Sequence, residues 1–156
     1  MRSGCGVYIW VNGSIYDGEW LEDKSNGMGR FVNTKGEMYE GDWRDNKMHG
    51  KGVYKNNKGS TYSGDWLDDA QHGFGVEIWN DGSKYSGEIL LGKKSGHGSF
   101  LFHNGDKYVG EWENNQMNGH GKYTWTDGRV YTGDWKYSEK HGFGLFTWAD
   151  GKVYEG

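Results

Sequence analysis

The chain has 156 residues, 33% hydrophobic and 26% charged, with a formal net charge of −4 and a mean hydropathy of −0.99. That is one domain's worth of chain with too little aliphatic material for an ordinary globular core, yet 17% of it is aromatic, far above what disordered segments carry. An acidic balance lacks the electrostatic footprint of a nucleic-acid binder and disfavours anionic lipid.

The first stretch, residues 1–15, places Gly4 and Gly6 two apart and holds the single cysteine, Cys5. One cysteine makes neither an internal disulfide nor a Cys-based zinc site, so a reducing compartment is expected, the cytosol by default. No charged leader with an apolar run follows Met1. The longest aliphatic run, Ile89-Leu90-Leu91, is far short of the ~20 residues that span a bilayer, so any membrane contact is expected to be peripheral.

From Tyr16 onward a tyrosine recurs every 23 residues, at Tyr39, Tyr62, Tyr85, Tyr108, Tyr131 and Tyr154. Residues 1–15 then read as a half repeat, followed by six full repeats, 16–38, 39–61, 62–84, 85–107, 108–130 and 131–153, and the start of another at 154–156. The expectation is a single repeat array over 1–156. Each repeat reads Y-x-G-x-W, six residues, G-x-G, six residues, G-x-x. Of the 29 glycines only Gly92 is out of register, which argues against reading any one G-x-G as a phosphate loop.

The repeat 39–61 shows the logic. "YEGDW" alternates with period two, placing Tyr39, Gly41 and Trp43 on one face and Glu40 and Asp42 on the other. "GKGVY" does the same with Gly50, Gly52 and Tyr54, and the intervening "RDNKMH" is polar turn material. The repeat is therefore predicted to be a β-hairpin, closed by an Asn/Asp-Gly type of link ending at Gly59 that supplies positive φ. In the simple antiparallel register Trp43 lies across from Gly50 in its own hairpin and from Gly29 in the preceding one. A ring over a bare backbone recovers stability that glycine loses in a strand. The expected core is a ladder of aromatics on a glycine floor, which needs few aliphatics.

The repeats 62–84 and 85–107 break the pattern. Glu77 stands where Tyr54, Phe100, Tyr123 and Phe146 stand elsewhere, and Ile89 replaces tryptophan in "YSGEILLGKKSGHG". In the assumed register Glu77 lies across from Tyr62 on one side and Gly87 on the other, and Ile89 leaves space over Gly96 and Gly75. A gap beside a carboxylate, flanked by Tyr62, Trp79 and Tyr85, makes Tyr62, Glu77, Trp79, Tyr85 and Ile89 the candidate partner-binding residues.

Other candidate sites carry less. His49, His72 and His141 share one repeat position and His97 and His120 another. Equivalent positions lie two strand spacings apart, ~9–10 Å, too far to share a metal with ~2 Å zinc–nitrogen bonds. The acidic residue before each tryptophan (Glu19, Asp42, Asp65, Glu111 and Asp134, with Glu88 before Ile89) forms a column in which no pair differs from the others. Turn hydrogen bonding suits it better than paired-carboxylate catalysis. No serine or cysteine stands apart with a base and an orienter, so no enzyme, no cofactor and no metal site are expected.

"YDGEW", "YEGDW", "YSGDW", "YVGEW" and "YTGDW", each followed at fixed spacing by a G-x-G such as "GMG", "GKG" or "GFG", resemble the MORN (membrane occupation and recognition nexus) repeat over essentially the whole chain. The resemblance implies an all-β solenoid of antiparallel hairpins forming one elongated, twisted sheet with a grooved face. Its members include axonemal proteins, cytoskeletal scaffolds, membrane-junction proteins and regulatory segments of lipid kinases. It thus implies a non-catalytic protein-interaction scaffold of a ciliary axoneme or other cytoskeletal assembly, in the cytoplasm, binding an extended partner along the groove. The alternative it carries is a phospholipid-binding or membrane-targeting module. Because a solenoid needs polar caps to stay soluble, a fragment of a longer array or end-to-end homo-oligomerisation is also expected.

Overall fold

The computed structural model describes residues 1–156. The chain is all strand and turn, in two compact units, residues 1–80 and 81–156. The N-terminal unit holds β1 (Gly4–Ile9), β2 (Ile15–Leu21), β3 (Lys24–Val32), β4 (Met38–Arg44), β5 (Lys47–Lys55), β6 (Thr61–Leu67) and β7 (Ala70–Ile78). The C-terminal unit holds β8 (Lys84–Leu90), β9 (Lys93–Leu101), β10 (Lys107–Glu113), β11 (Gln116–Thr124), β12 (Val130–Lys136), β13 (Glu139–Thr147) and β14 (Val153–Glu155). Within each unit the strands lie in chain order, every one antiparallel to the next. The predicted hairpins at a 23-residue repeat are present.

The six polar residues after each tryptophan, expected as turn, are mostly strand. Only Asp45 and Asn46 join β4 to β5, both at positive φ, 48° and 68°. Two such residues make the type I′ turn, whose twist matches that of the flanking strands. Glu22-Asp23 and Asp68-Asp69 do the same between β2 and β3 and between β6 and β7. The links between hairpins are capped by asparagine or, as at Asp81, Asp127 and Asp150, by aspartate. Asn33 Oδ1 accepts from the Lys35 and Glu37 N–H groups at 2.9 and 3.0 Å, and Gly36, at φ +84°, donates to the Asn33 carbonyl at 3.2 Å.

A β-bulge in each hairpin corrects the simple register. The pairing slips between Gly18 and Trp20, Gly41 and Trp43, and Gly64 and Trp66, where two residues of one strand face one of the other. Trp43 therefore pairs with Met48 in its own hairpin, not Gly50; in the unbulged ladder to the preceding hairpin it pairs with Gly27, because Gly29 is taken by Gly41. The first glycine of G-x-G takes positive φ at the bulge (Gly50, 66°), and the column of acids caps it. Asp42 Oδ2 accepts from the Lys51 N–H at 2.9 Å and Asp65 Oδ2 from the Phe74 N–H at 2.9 Å; Glu19 and the Met28 N–H make the equivalent bond. This is the turn-type hydrogen bonding expected of that column.

The residue lying over the glycine floor is tyrosine. Gly52 backs directly onto the Tyr39 ring, and the phenol donates to the Asp42 carbonyl at 2.8 Å. Tyr16 and Tyr62 repeat the arrangement over Gly29 and Gly75. Tryptophan is the joint between repeats: Trp43 Nε1 donates to the Gly29 carbonyl of the preceding hairpin at 2.9 Å, and Trp66 to Gly52 at 3.2 Å. Trp20, Tyr16, Trp43, Tyr39, Trp66 and Tyr62 thus form an unbroken edge-to-face chain with centroids 5.0–5.3 Å apart, a preferred aromatic geometry.

Burial, then the nearby carboxylates of Glu19, Asp65 and Glu111, pushes the phenols of Tyr16, Tyr62 and Tyr108 up to about 12; Tyr39 and Tyr85 move the same way for the same reason. An unfolded phenol ionises near pH 10, so above that pH the unfolded chain releases protons that the folded chain keeps, and stability falls as pH rises. The fold should retain this stabilisation in full below pH ~10 and lose it progressively toward ~12. In a variant with phenylalanine at the exposed Tyr8, Tyr137 and Tyr154, a pH titration should show most of the phenolate absorbance rising together with loss of the β-sheet circular dichroism. Most of it appearing well before unfolding would contradict this.

Candidate interaction groove

The sheet face of the N-terminal unit carries a groove of about 530 Å³ running across β1 to β5, with Asp69 from the turn after β6 at one end. Its walls come from residues one repeat apart. Tyr8, Phe31 and Tyr54 line it directly above their register partners Tyr16, Tyr39 and Tyr62, of which Tyr16 and Tyr39 reach the groove. Trp20 and Trp43 stand between these rows, with Phe31–Trp43 centroids 6.3 Å and Tyr8–Trp20 centroids 6.0 Å apart. Trp10, against Phe31 at 5.7 Å, extends one wall.

The polar rim is supplied by the type I′ turns. Asn46 Oδ1 accepts from the Ser25 N–H at 2.8 Å, and Asp69 Oδ1 from the Met48 N–H at 2.8 Å, so each turn fastens itself to the neighbouring hairpin. Asp23 accepts from the Arg2 N–H at 2.6 Å and from Arg2 Nε at 3.3 Å, which holds its carboxyl below the usual carboxylate range. The Arg2 guanidinium lies 4.5 Å from the centroids of both Tyr8 and Trp20, the placement of a cation–π contact. Glu37, at the other rim, accepts from Asn33 Nδ2 at 2.7 Å.

The C-terminal unit uses the corresponding repeat positions differently. Lys94 Nζ lies 5.7–5.8 Å from the Tyr85, Phe100 and Trp112 rings. Lys140 Nζ lies 5.0 Å from Trp125 and 5.4 Å from Phe146. One 23-residue row therefore reads Arg2, Ser25, Met48, Gln71, Lys94, Met117, Lys140.

The predicted binding residues fall as follows. Tyr62, Glu77 and Trp79 belong to the N-terminal unit and Tyr85 and Ile89 to the C-terminal unit. Tyr62 pairs with Glu77 across the β6–β7 ladder as expected, and its phenol feels that carboxylate. Tyr62 and Tyr85 are fully buried and present no surface to a partner. Ile89 is buried too and pairs with Lys94, not Gly96, because the β8–β9 bulge shifts the register. Glu77 and Trp79 are half-buried. The groove, built from Tyr8, Phe31, Trp43 and Tyr54, lies at the regular repeats and not at the broken ones. The signal for it is the aromatic row at positions 8, 31 and 54, exposed at Tyr8 and half-buried at Phe31 and Tyr54.

No group of three or more His, Cys, Asp or Glu side chains is arranged to hold a metal. No helix is long and apolar enough to cross a membrane.

Comparison with known proteins adds the family and the fold. A model of the MORN repeat matches residues 1–15, 16–38, 39–61, 62–84, 85–107, 108–128 and 131–153. No curated protein sequence matches. Among solved structures, the TCP domain of Drosophila melanogaster SAS-4, in complex with a proline-rich motif of Ana2, superposes with a TM-score of 0.61 at 11% identity, over 97% of this chain and 83% of that one. The TCP10c domain of Drosophila melanogaster Sas-4 gives 0.55 at 12% identity, over 97% and 91%. At such identities the likeness is one of fold.

Proposed function

Since the chain belongs to the MORN repeat family, we propose that it is a non-catalytic protein-interaction scaffold of a cytoskeletal assembly, a ciliary axoneme for example, which takes an extended segment of a partner protein along its aromatic face. The observation that carries this reading is the groove itself. An open, ring-lined channel crosses three successive repeats, with Tyr8 and Trp10 each 38% exposed. Its floor is a sheet whose strands are already paired on both sides from β2 to β6. A partner would bind through side chains on rings, the usual source of interface hot spots. The SAS-4 TCP domain, alike in fold, is in complex with a proline-rich motif, which supports a sheet of this kind serving as a peptide receptor. Localisation is then cytoplasmic, set by the partner.

The test uses the full-length protein. A partner identified by proximity labelling and then purified should lose at least about tenfold in affinity when Phe31 and Tyr54 are both changed to alanine, since neither belongs to the buried tyrosine–tryptophan chain. Vesicles of neutral lipid, phosphatidylserine or phosphoinositide should not sediment the protein. Unchanged partner affinity in the double variant would remove the groove from the mechanism. Vesicle binding that the double variant abolishes would establish the phospholipid alternative instead.

A further inference from the structure

Resting on that reading, we propose that the occupant of the N-terminal groove is a proline-rich segment in polyproline-II conformation, with proline at every third residue and a basic residue placed against Glu37 and Asp69.

The first argument is one of pitch. Successive hairpins repeat every two strand spacings, ~9.4–9.8 Å, so equivalent rings recur at that distance along the groove. A polyproline-II helix advances 3.1 Å per residue with three residues per turn, ~9.3 Å. It alone among regular conformations offers the same side chain to every hairpin. An α-helix repeats at 5.4 Å, and a β-strand returns to one face every two residues, at ~6.4–6.8 Å. The Phe31 and Tyr54 rings, one repeat apart along the groove, would each carry one proline of a P-x-x-P-x-x-P segment on their surface. Rings take proline well, and the stiff helix loses little entropy on docking. Nor does this helix require backbone partners, which a face of fully paired strands does not supply.

The second argument is charge. In the row that begins at Arg2, the chain lays its own cation on the rings at Arg2, Lys94 and Lys140. At Ser25 and Met48, which line the groove, it supplies none. Beside them stand two carboxylates whose hydrogen-bond donors are neutral, the Asn33 amide for Glu37 and the Met48 N–H for Asp69. Their fields reach the rings: the phenols of Tyr54 and Tyr39 are raised first by burial and then by Glu37 in the one case and by Asp42 and Asp69 in the other. A partner's arginine or lysine over Phe31 or Tyr54 would complete the pattern the chain itself sets elsewhere. Residues 1–156 contain no proline, so none of them fits the description.

Calorimetry with the intact chain and four synthetic peptides tests this. One has proline at every third residue with arginine between; the second has the same composition with proline at every fourth, and the other two keep the first peptide's spacing with alanine for proline or glutamate for arginine. The first should bind, and each of the others at least about tenfold more weakly. Ser25→Lys, which places at position 25 the side chain found at Lys94 and Lys140, should lay a cation on the rings and cost the first peptide about tenfold; because the Ser25 hydroxyl is itself bonded to Asn46, Glu37→Gln is the independent variant and should weaken binding severalfold. No binding of the first peptide, equal binding of the period-four peptide, or indifference to both substitutions overturns the proposal. If the purified partner then still depends on Phe31 and Tyr54 but through a segment without that proline period, the groove reading stands and only the ligand class falls.

Discussion

Alanine at Gly64 should destabilise the protein by about 3 kcal/mol or more, the upper range of overpacking costs, although it adds a single methyl group. A Cβ at that position would sit 2.4 Å from the Phe74 carbonyl oxygen and 2.5 Å from Gly75 Cα. Both are backbone atoms of the neighbouring strand, so no rotamer change relieves the clash. Gly52, Gly64 and Gly75 pair in one line across β5, β6 and β7, and the displacement would spread into both ladders. The control is Gly36→Ala. There a Cβ meets nothing within 4 Å and the cost is that of placing alanine at φ +84°, about 1–2 kcal/mol. Urea unfolding of the two variants should separate them clearly. Equal midpoints would show that the sheet flexes at the glycine line.

The second large effect is expected at Trp66. Its indole donates to the Gly52 carbonyl at 3.2 Å and packs edge-on against Tyr39 at 5.3 Å and Tyr62 at 5.1 Å. Truncation to alanine should cost roughly 3–5 kcal/mol, as for other buried aromatics. Because Trp66 joins one repeat to the one before it, the loss of amide protection should concentrate in β4 to β7. Hydrogen exchange resolved by residue reads this directly. Uniform loss of protection from Tyr16 to Tyr154 would instead mean one globally cooperative core.

The repeat, the hairpins and the positive-φ links were legible because each leaves a local mark: a tyrosine every 23 residues, period-two alternation, and Asn or Asp before Gly36 or Gly59. The bulge left none. Gly50 and Gly52 look alike in "GKG", yet one bends the strand over the Asp42 carboxylate and the other lies beneath Tyr39. That distinction exists only once two strands are paired. The spacer "RDNKMH" read as loop because it is polar, whereas a strand with one solvated face is polar at alternate positions. The candidate site was drawn to Glu77 and Ile89 because a broken pattern is conspicuous in one dimension. The groove instead comes from unbroken rows, Tyr8, Phe31 and Tyr54, whose rings become neighbours only through strand pairing.

The recurring bonds of the fold span 3, 9, 14 and 21 residues: tyrosine to carbonyl, acid to bulge, indole to carbonyl, and turn to neighbouring hairpin. All four are shorter than the repeat. A nascent chain can therefore complete each repeat's bonds as soon as the next has left the ribosome, without waiting for a distant terminus, and such local wiring favours fast folding. It also makes a duplication or deletion of one whole repeat nearly neutral for the contacts that remain, so lineages can change the number of repeats by copying 23 codons at a time.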